Sequence, residues 1–175
     1  TLDNIQLLMT QVRAIIRAAQ GDEQVRILLP MISSTSELIA FRQLLDDACQ
    51  QLREEGCALC RPRVGAMLEV PAAISQLWLW RDRIDFISIG SNDLSQYLLA
   101  LDRNNARVAK RYDHVHPGVL NEIQRIVGIA GQCRLPLSLC GEMASDPVAV
   151  LLLIGMGIRT LSTSSAQLPR MKWLI

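Results

Sequence analysis

Aromatic residues are scarce in this chain, with two Tyr, two Phe and three Trp making up 4% of 175 residues. That is too few for the stacking platforms on which nucleic acid bases are read. Charge of one sign is lacking as well: 18 Lys and Arg against 17 Asp and Glu leave a formal charge of +1. No field of that size recruits nucleic acid or an anionic membrane. Long hydrophobic runs are also missing. The most apolar stretch, Val148 to Met156, falls well short of the ~20 residues a membrane-spanning helix needs. Cysteine is present in an odd number, five, and no signal peptide is evident at the start. Reduced thiols in the cytoplasm are therefore expected rather than a disulfide framework. What the chain does have is apolar content, 50% of its residues, enough to build one well-packed domain.

Hydrophobic periodicity alternates between helix and strand. Ile5, Leu8, Met9, Val12, Ile15, Ile16 and Ala19 recur at helical spacing, with Gly21-Asp22 closing the segment, and Val25 to Met31 reads as a buried strand. Ser34-Thr35-Ser36-Glu37 has the form of a capping box before a helix lined by Leu38, Phe41, Leu45, Ala48 and Leu52. Strands are predicted at 64–69, 84–89, 135–140 and 160–163. Helices are predicted at 71–80, 91–101, 117–130, from Asp146-Pro147 to near Gly155, and at 168–175, with a polar loop at 102–116. Five nearly continuous apolar strands with helical crossovers argue for an α/β fold with a parallel sheet, whose strand C-terminal ends share one rim.

That rim is where barrels and open sheets alike carry their chemistry. Glu69, Asn92, Asp93, Cys140 and Ser162 fall at or just after strand ends. Glu69 and Asp93 offer two carboxylates, the number with which proteins commonly hold Mg²⁺ beside substrate oxygens and water. Position alone also allows the blander assignment in which Asp93 caps the following helix and Glu69 pairs with an arginine. Asn92 can orient a substrate oxygen or stabilise a turn. Arg103 brings a cation suited to phosphate or carboxylate, while Arg107, Lys110 and Arg111 read as solvated surface. The Cys140 thiol is placed either to donate a proton at the rim or to pack as a structural cysteine, the commoner role. Cys57 and Cys60 form a lone C-x-x-C, with His114 and His116 far downstream, and lack both the four placed ligands of a zinc site and the helix start of a redox motif. Trp78 and Trp80 read as packing or interface groups.

Three segments together, Gly65-Ala66-Met67-Leu68-Glu69-Val70-Pro71-Ala72-Ala73, Asp85 to Tyr97 with its Gly90-Ser91-Asn92-Asp93-Leu94 centre, and Leu139-Cys140-Gly141-Glu142-Met143-Ala144, resemble the PEP-utilising enzyme family along essentially the whole chain. Tyr97 to Asn105 is more similar to enzyme I of the phosphotransferase system than to pyruvate phosphate dikinase. Arg107-Val108-Ala109, Tyr112-Asp113 and His116-Pro117 point to the nitrogen-related type. The resemblance implies that residues 1–175 are the C-terminal portion of a phosphoenolpyruvate (PEP)-binding (β/α)8 TIM-type barrel, about its last five βα units, within a larger multidomain enzyme. It implies Mg²⁺ on Glu69 and Asp93, PEP held by Asn92 and Arg103, and Cys140 as proton donor to the enolpyruvate carbon. The phosphoryl group would pass to a histidine on a separate domain, and from there to a phosphocarrier protein of the HPr/NPr type.

The family's substrate arginines on the first strands have no counterpart here, and Thr163 and Ser165 stand where methionine and alanine are usual. A dikinase or PEP synthase type fragment and a non-catalytic PEP-binding or dimerisation module are the alternatives. Five strands cannot close an eight-stranded barrel, so an open edge and an uncovered apolar face are expected, with self-association, for instance as a homodimer, or an arrangement in which the first helix and neighbouring chains cover that surface.

Overall fold

The structure, a computed structural model, describes residues 4–19, 22 and 24–175. Gly21, expected to close the first helix, lies outside the described residues. Five strands form one sheet: β1 (Arg26–Leu29), β2 (Arg63–Leu68), β3 (Phe86–Gly90), β4 (Leu137–Cys140) and β5 (Leu161–Ser162). They lie in the order β1-β2-β3-β4-β5, and each neighbouring pair is parallel. The order never reverses. A doubly wound sheet reverses at its switch point, whereas a chain that keeps stepping the same way with right-handed crossovers puts its helices on one face, as in a barrel. The α/β fold read from the sequence is the one observed, and its winding is that of a TIM-type barrel.

The helix-covered face carries Ile27, Leu29, Val64, Ala66, Leu68, Ile87, Ile89 and Leu139, all buried. Against it pack α2 (Thr35–Glu54), α5 (Ser91–Leu99), α6 (Pro117–Cys133) and α7 (Pro147–Gly155). The predicted starts have physical causes. Glu37 takes the Ser33 and Ser34 N–H groups at 2.8 Å each, Asp146 Oδ1 accepts from Ala149 N–H at 2.8 Å, and His116 Nδ1 accepts from Gly118 N–H at 3.1 Å. Helix α5 ends earlier than expected because Ala100 turns into the left-handed region, and α6 runs further, to Cys133, before Arg134 does the same.

The helix predicted over 71–80 is instead two single turns, α3 (Pro71–Ile74) and α4 (Leu77–Trp80). Gln76 sits at the break. Its amide donates to Ser33 O at 2.8 Å and accepts from Thr35 N–H at 3.1 Å, anchoring the segment to the start of α2. Trp80 is buried and donates to Thr35 Oγ1 at 2.9 Å, while Trp78 is half exposed.

The opposite sheet face is not the apolar surface expected. The strand registers place Gly65, Ser88, Gly90, Ser138, Cys140 and Ser162 on it, with Leu28 and Phe86 toward its N-terminal half and Met67 level with Ser88. Its residues become small and polar toward the rim, where they border the site. Phe86 lies over Gly65, where a Cβ would strike the ring, and the Arg26 guanidinium is 5.6 Å from the ring centroid. Strands β1 and β5 have one neighbour each, so the sheet is open. Helix α1 (Ile5–Ala18) does not seal the β1 edge. Val12 and Ile16 are buried and Arg13 and Arg17 pair with Glu55, the residue after α2, at 2.6 Å, leaving a cleft of about 450 Å³ between α1 and β1. Helix α8 (Leu168–Leu174) closes the described chain.

Candidate functional site

Glu69 follows the last residue of β2, in register with Gly90 at the end of β3, and Gly90 pairs with Cys140, which pairs with Ser162. These positions form one row across the rim. At about 4.8 Å between strands, Glu69 and Cys140 are rooted roughly 10 Å apart. The glycine between them decides what fits. A Cβ at Gly90 would lie 2.6 Å from Glu69 Oε2 and 2.9 Å from Glu69 Cβ, so the missing side chain is the space into which the Glu69 carboxylate folds. Its other oxygen, Oε1, accepts the Met31 N–H at 2.6 Å. Met31 lies just beyond β1, which stops at Leu29 rather than running on to Met31. Its φ of 55° takes it out of strand geometry and turns its N–H onto the carboxylate.

Glu69 is 3% exposed and has no cationic partner among the described residues. Burial pushes its pKa up; the Met31 hydrogen bond opposes this and the nearby Asp93 charge adds to it. A buried acid held against a second acid is a position that a divalent cation would relieve. The blander assignments do not match what is seen. Asp93 makes no cap bond to α5, whose N-cap is Gly90; its carboxylate lies 3.7 Å from Arg103. No group of three or more His, Cys, Asp or Glu that could hold a metal occurs among the described residues. A cation on Glu69 and Asp93 would take its remaining ligands from substrate or water, which is the usual Mg²⁺ arrangement.

Asn92 stands beside Asp93 in the first turn of α5. Its Oδ1 accepts the Glu142 N–H at 2.9 Å, which leaves the amide N–H₂ as the group able to meet an anionic oxygen. Arg103 follows the α5 C-terminus, its N–H donating to Gln96 Oε1 at 3.2 Å. The loop beyond is shaped by Asp102, Asn105 and Asp113, each accepting the N–H two residues on. Arg107, Lys110 and Arg111 are exposed, as expected of solvated surface.

Cys140 presents a partly exposed, free thiol at the end of β4. Its sulfur lies 3.5 Å from the Ile89 carbonyl as donor and 3.8 Å from the Ser88 hydroxyl as acceptor, so it projects on the uncovered face, where Glu69 also emerges. The turn after it is built for close approach. Gly141 has φ of 107°, and a Cβ there would strike Ser91 Oγ and lie 2.9 Å from Asn92 Oδ1. Ser91 Oγ also donates to Cys140 O at 2.8 Å, and with the Asn92–Glu142 bond this bolts the β3 and β4 turns together.

The sequence of residues 1–175 matches the model of the PEP-utilising enzyme, PEP-binding domain. The chain belongs to the PEP-utilising enzyme family. Among curated relatives, a protein of Salmonella typhimurium named phosphoenolpyruvate-dependent phosphotransferase system is 46% identical over all of this chain and 24% of its own length. A phosphoenolpyruvate-protein phosphotransferase of Cupriavidus necator is 44% identical over 95% of this chain and 28% of its own length. The chain thus spans about a quarter of these relatives. A citrate lyase structure from Burkholderia xenovorans superposes on 95% of the chain with a TM-score of 0.65 at 20% identity and supports the fold alone.

The structure brings Glu69, Asn92, Asp93, Arg103 and Cys140 to one rim. Met31, Gly90, Gly141 and Tyr112 join them, residues whose part in the site the three-dimensional arrangement reveals; Tyr112 donates to Asn92 O at 3.1 Å. For the glycines a signal existed, since Gly90 ends the strand just before Asn92 and Asp93 and Gly141 directly follows Cys140. His114 lies 3.8 Å from Asp146, and His116 caps α6.

Proposed function

We propose that this chain is the PEP-binding portion of a PEP–protein phosphotransferase of the nitrogen-related enzyme I type. The observation that carries the reading is the Glu69 carboxylate, buried over Gly90 beside Asp93 with no cation of its own among the described residues, in a chain of the PEP-utilising family. Bound Mg²⁺ on Glu69 and Asp93 would neutralise phosphate and carboxylate charge on PEP. Arg103 leaves Asp93 to clamp phosphate oxygens, in the two-pronged manner for which a guanidinium is suited. The Asn92 amide donates to a second anionic oxygen and fixes the orientation of the substrate.

As the phosphoryl group leaves for a histidine on another domain, charge moves onto the enolpyruvate, and Cys140 hands its proton to the enolpyruvate carbon. That histidine would in turn serve a phosphocarrier protein of the HPr/NPr type. The isolated chain is inactive on this reading, because the acceptor histidine and the substrate arginines of the first strands are not in it, and it self-associates through its open edges. The test is phosphoryl transfer from PEP in the full-length protein. Loss of transfer on Glu69→Ala, Asp93→Ala and Arg103→Ala supports the reading, and undiminished transfer in all three contradicts it.

A further inference from the structure

Between the end of α5 and the start of α6 the chain runs from Ala100 to His116 with only a single 3₁₀ turn at Ala109–Arg111. Arg103 sits at the near end of this loop and Tyr112 at the far end. The near end is held by Gln96 Oε1 on the Arg103 N–H. The far end is held by the Tyr112 hydroxyl, which donates to the Asn92 carbonyl at 3.1 Å. Asn92 belongs to the first turn of α5, and by helix geometry its carbonyl already accepts from the chain four residues on. The acceptor is therefore fixed without Tyr112, and what the bond immobilises is the loop.

We propose that Tyr112 is a positioning residue for substrate binding, a strap that ties the Arg103 loop to the first turn of α5 and thereby fixes the guanidinium over the rim. The inference rests on the PEP-site reading above. Three further observations support it. The phenol is half-buried, its hydroxyl reaches the residue next to Asp93, and the charges of Arg103, Glu142 and Asp93 all act on it. Burial pushes its pKa up, against smaller opposing effects of Ser95 and Arg103, away from the neutral range in which an ordinary phenol already carries its proton. The ring also meets His114 edge-on at 6.5 Å, so the tyrosine is held by packing that a phenylalanine would retain.

The test compares Tyr112→Phe with the wild type in the full-length protein. PEP affinity with Mg²⁺ is measured by calorimetry, and amide hydrogen exchange is followed across residues 102–111. The strap predicts faster exchange in that loop. It also predicts binding weaker by roughly fivefold, which at ~1.4 kcal/mol per decade corresponds to one ordinary hydrogen bond of about 1 kcal/mol. In an Arg103→Ala background the same change costs nothing further, because the strap acts through Arg103; a purely structural tyrosine would weaken both backgrounds alike. Wild-type binding with unchanged affinity in Tyr112→Phe overturns the strap and leaves the PEP site standing. Failure of the wild type to bind PEP overturns the PEP site, and the strap with it.

Discussion

Replacing Gly90 by alanine tests the rim with a single methyl group. The backbone at Gly90 has φ of −86°, which any residue accepts, so alanine introduces no conformational strain. All of the effect is steric. The new Cβ would lie 2.6 Å from Glu69 Oε2, 2.9 Å from Glu69 Cβ and 3.0 Å from Met67 Sδ, well inside contact distance, and Glu69 cannot yield without straining or losing its 2.6 Å bond to Met31. Overpacking of this kind costs about 1–3 kcal/mol, and in a domain of this size each kcal/mol moves Tm by roughly 2–4 °C. A drop of about 2–12 °C is expected by differential scanning calorimetry. Displacing the carboxylate should weaken Mg²⁺-dependent PEP binding at least tenfold, roughly 1.4 kcal/mol or more. Glu69→Ala added to Gly90→Ala should recover part of the stability, by removing the oxygen in the way, but none of the binding. A Gly90→Ala protein that melts and binds PEP like the wild type would refute the placement of Glu69 over this glycine.

Further expectations follow from the same geometry. Glu69 has a raised pKa, so its protonated form is the better folded one: this contribution is fully favourable below the ordinary carboxylate pKa and is lost as pH climbs through the folded value. Metal-free Glu69→Gln should therefore melt above the wild type at pH 7 and level with it in acid, a comparison made by thermal melts across pH. Mg²⁺ at a hundred times its Kd should add about 2.7 kcal/mol to the wild type and nothing comparable to Glu69→Gln. Gly141→Ala should be more damaging than Gly90→Ala, because φ of 107° adds backbone strain to the clash with Ser91 and Asn92; a matching Tm loss would contradict this. Cys140→Ala in the full-length protein should leave PEP binding largely in place and slow turnover, whereas equal loss of both would mark the thiol as structural. Light scattering on the isolated chain should show association through the β1 and β5 edges, and a monomer at high concentration would count against it.

The fold was legible where hydrophobic period and turn chemistry agree. Val64, Ala66, Leu68, Ile87 and Ile89 read as parts of buried strands and are buried, and Asp146 and Ser34-Glu37 mark real helix starts. The break at Gln76 was not legible, because the side chain that anchors it bonds to Ser33 and Thr35, far away in sequence. The acids were found from their places at strand ends. Their environment was hidden in register: only the pairing of β2, β3 and β4 shows that Gly90 lies between Glu69 and Cys140. The apolar inner face was misjudged for a related reason. Ser88, Ser138 and Ser162 alternate with buried Ile89 and Leu139 and partly buried Leu161 as on any strand, and which set faces the helices follows from the crossovers.

The central claim is that Glu69 and Asp93 make PEP binding depend on Mg²⁺. Calorimetric titration of PEP into the full-length protein, with and without Mg²⁺, for the wild type, Glu69→Ala and Asp93→Ala, tests it most directly. Tight binding by the wild type only with Mg²⁺, lost in both variants, is the predicted result; binding that ignores Mg²⁺ and survives both substitutions would contradict it.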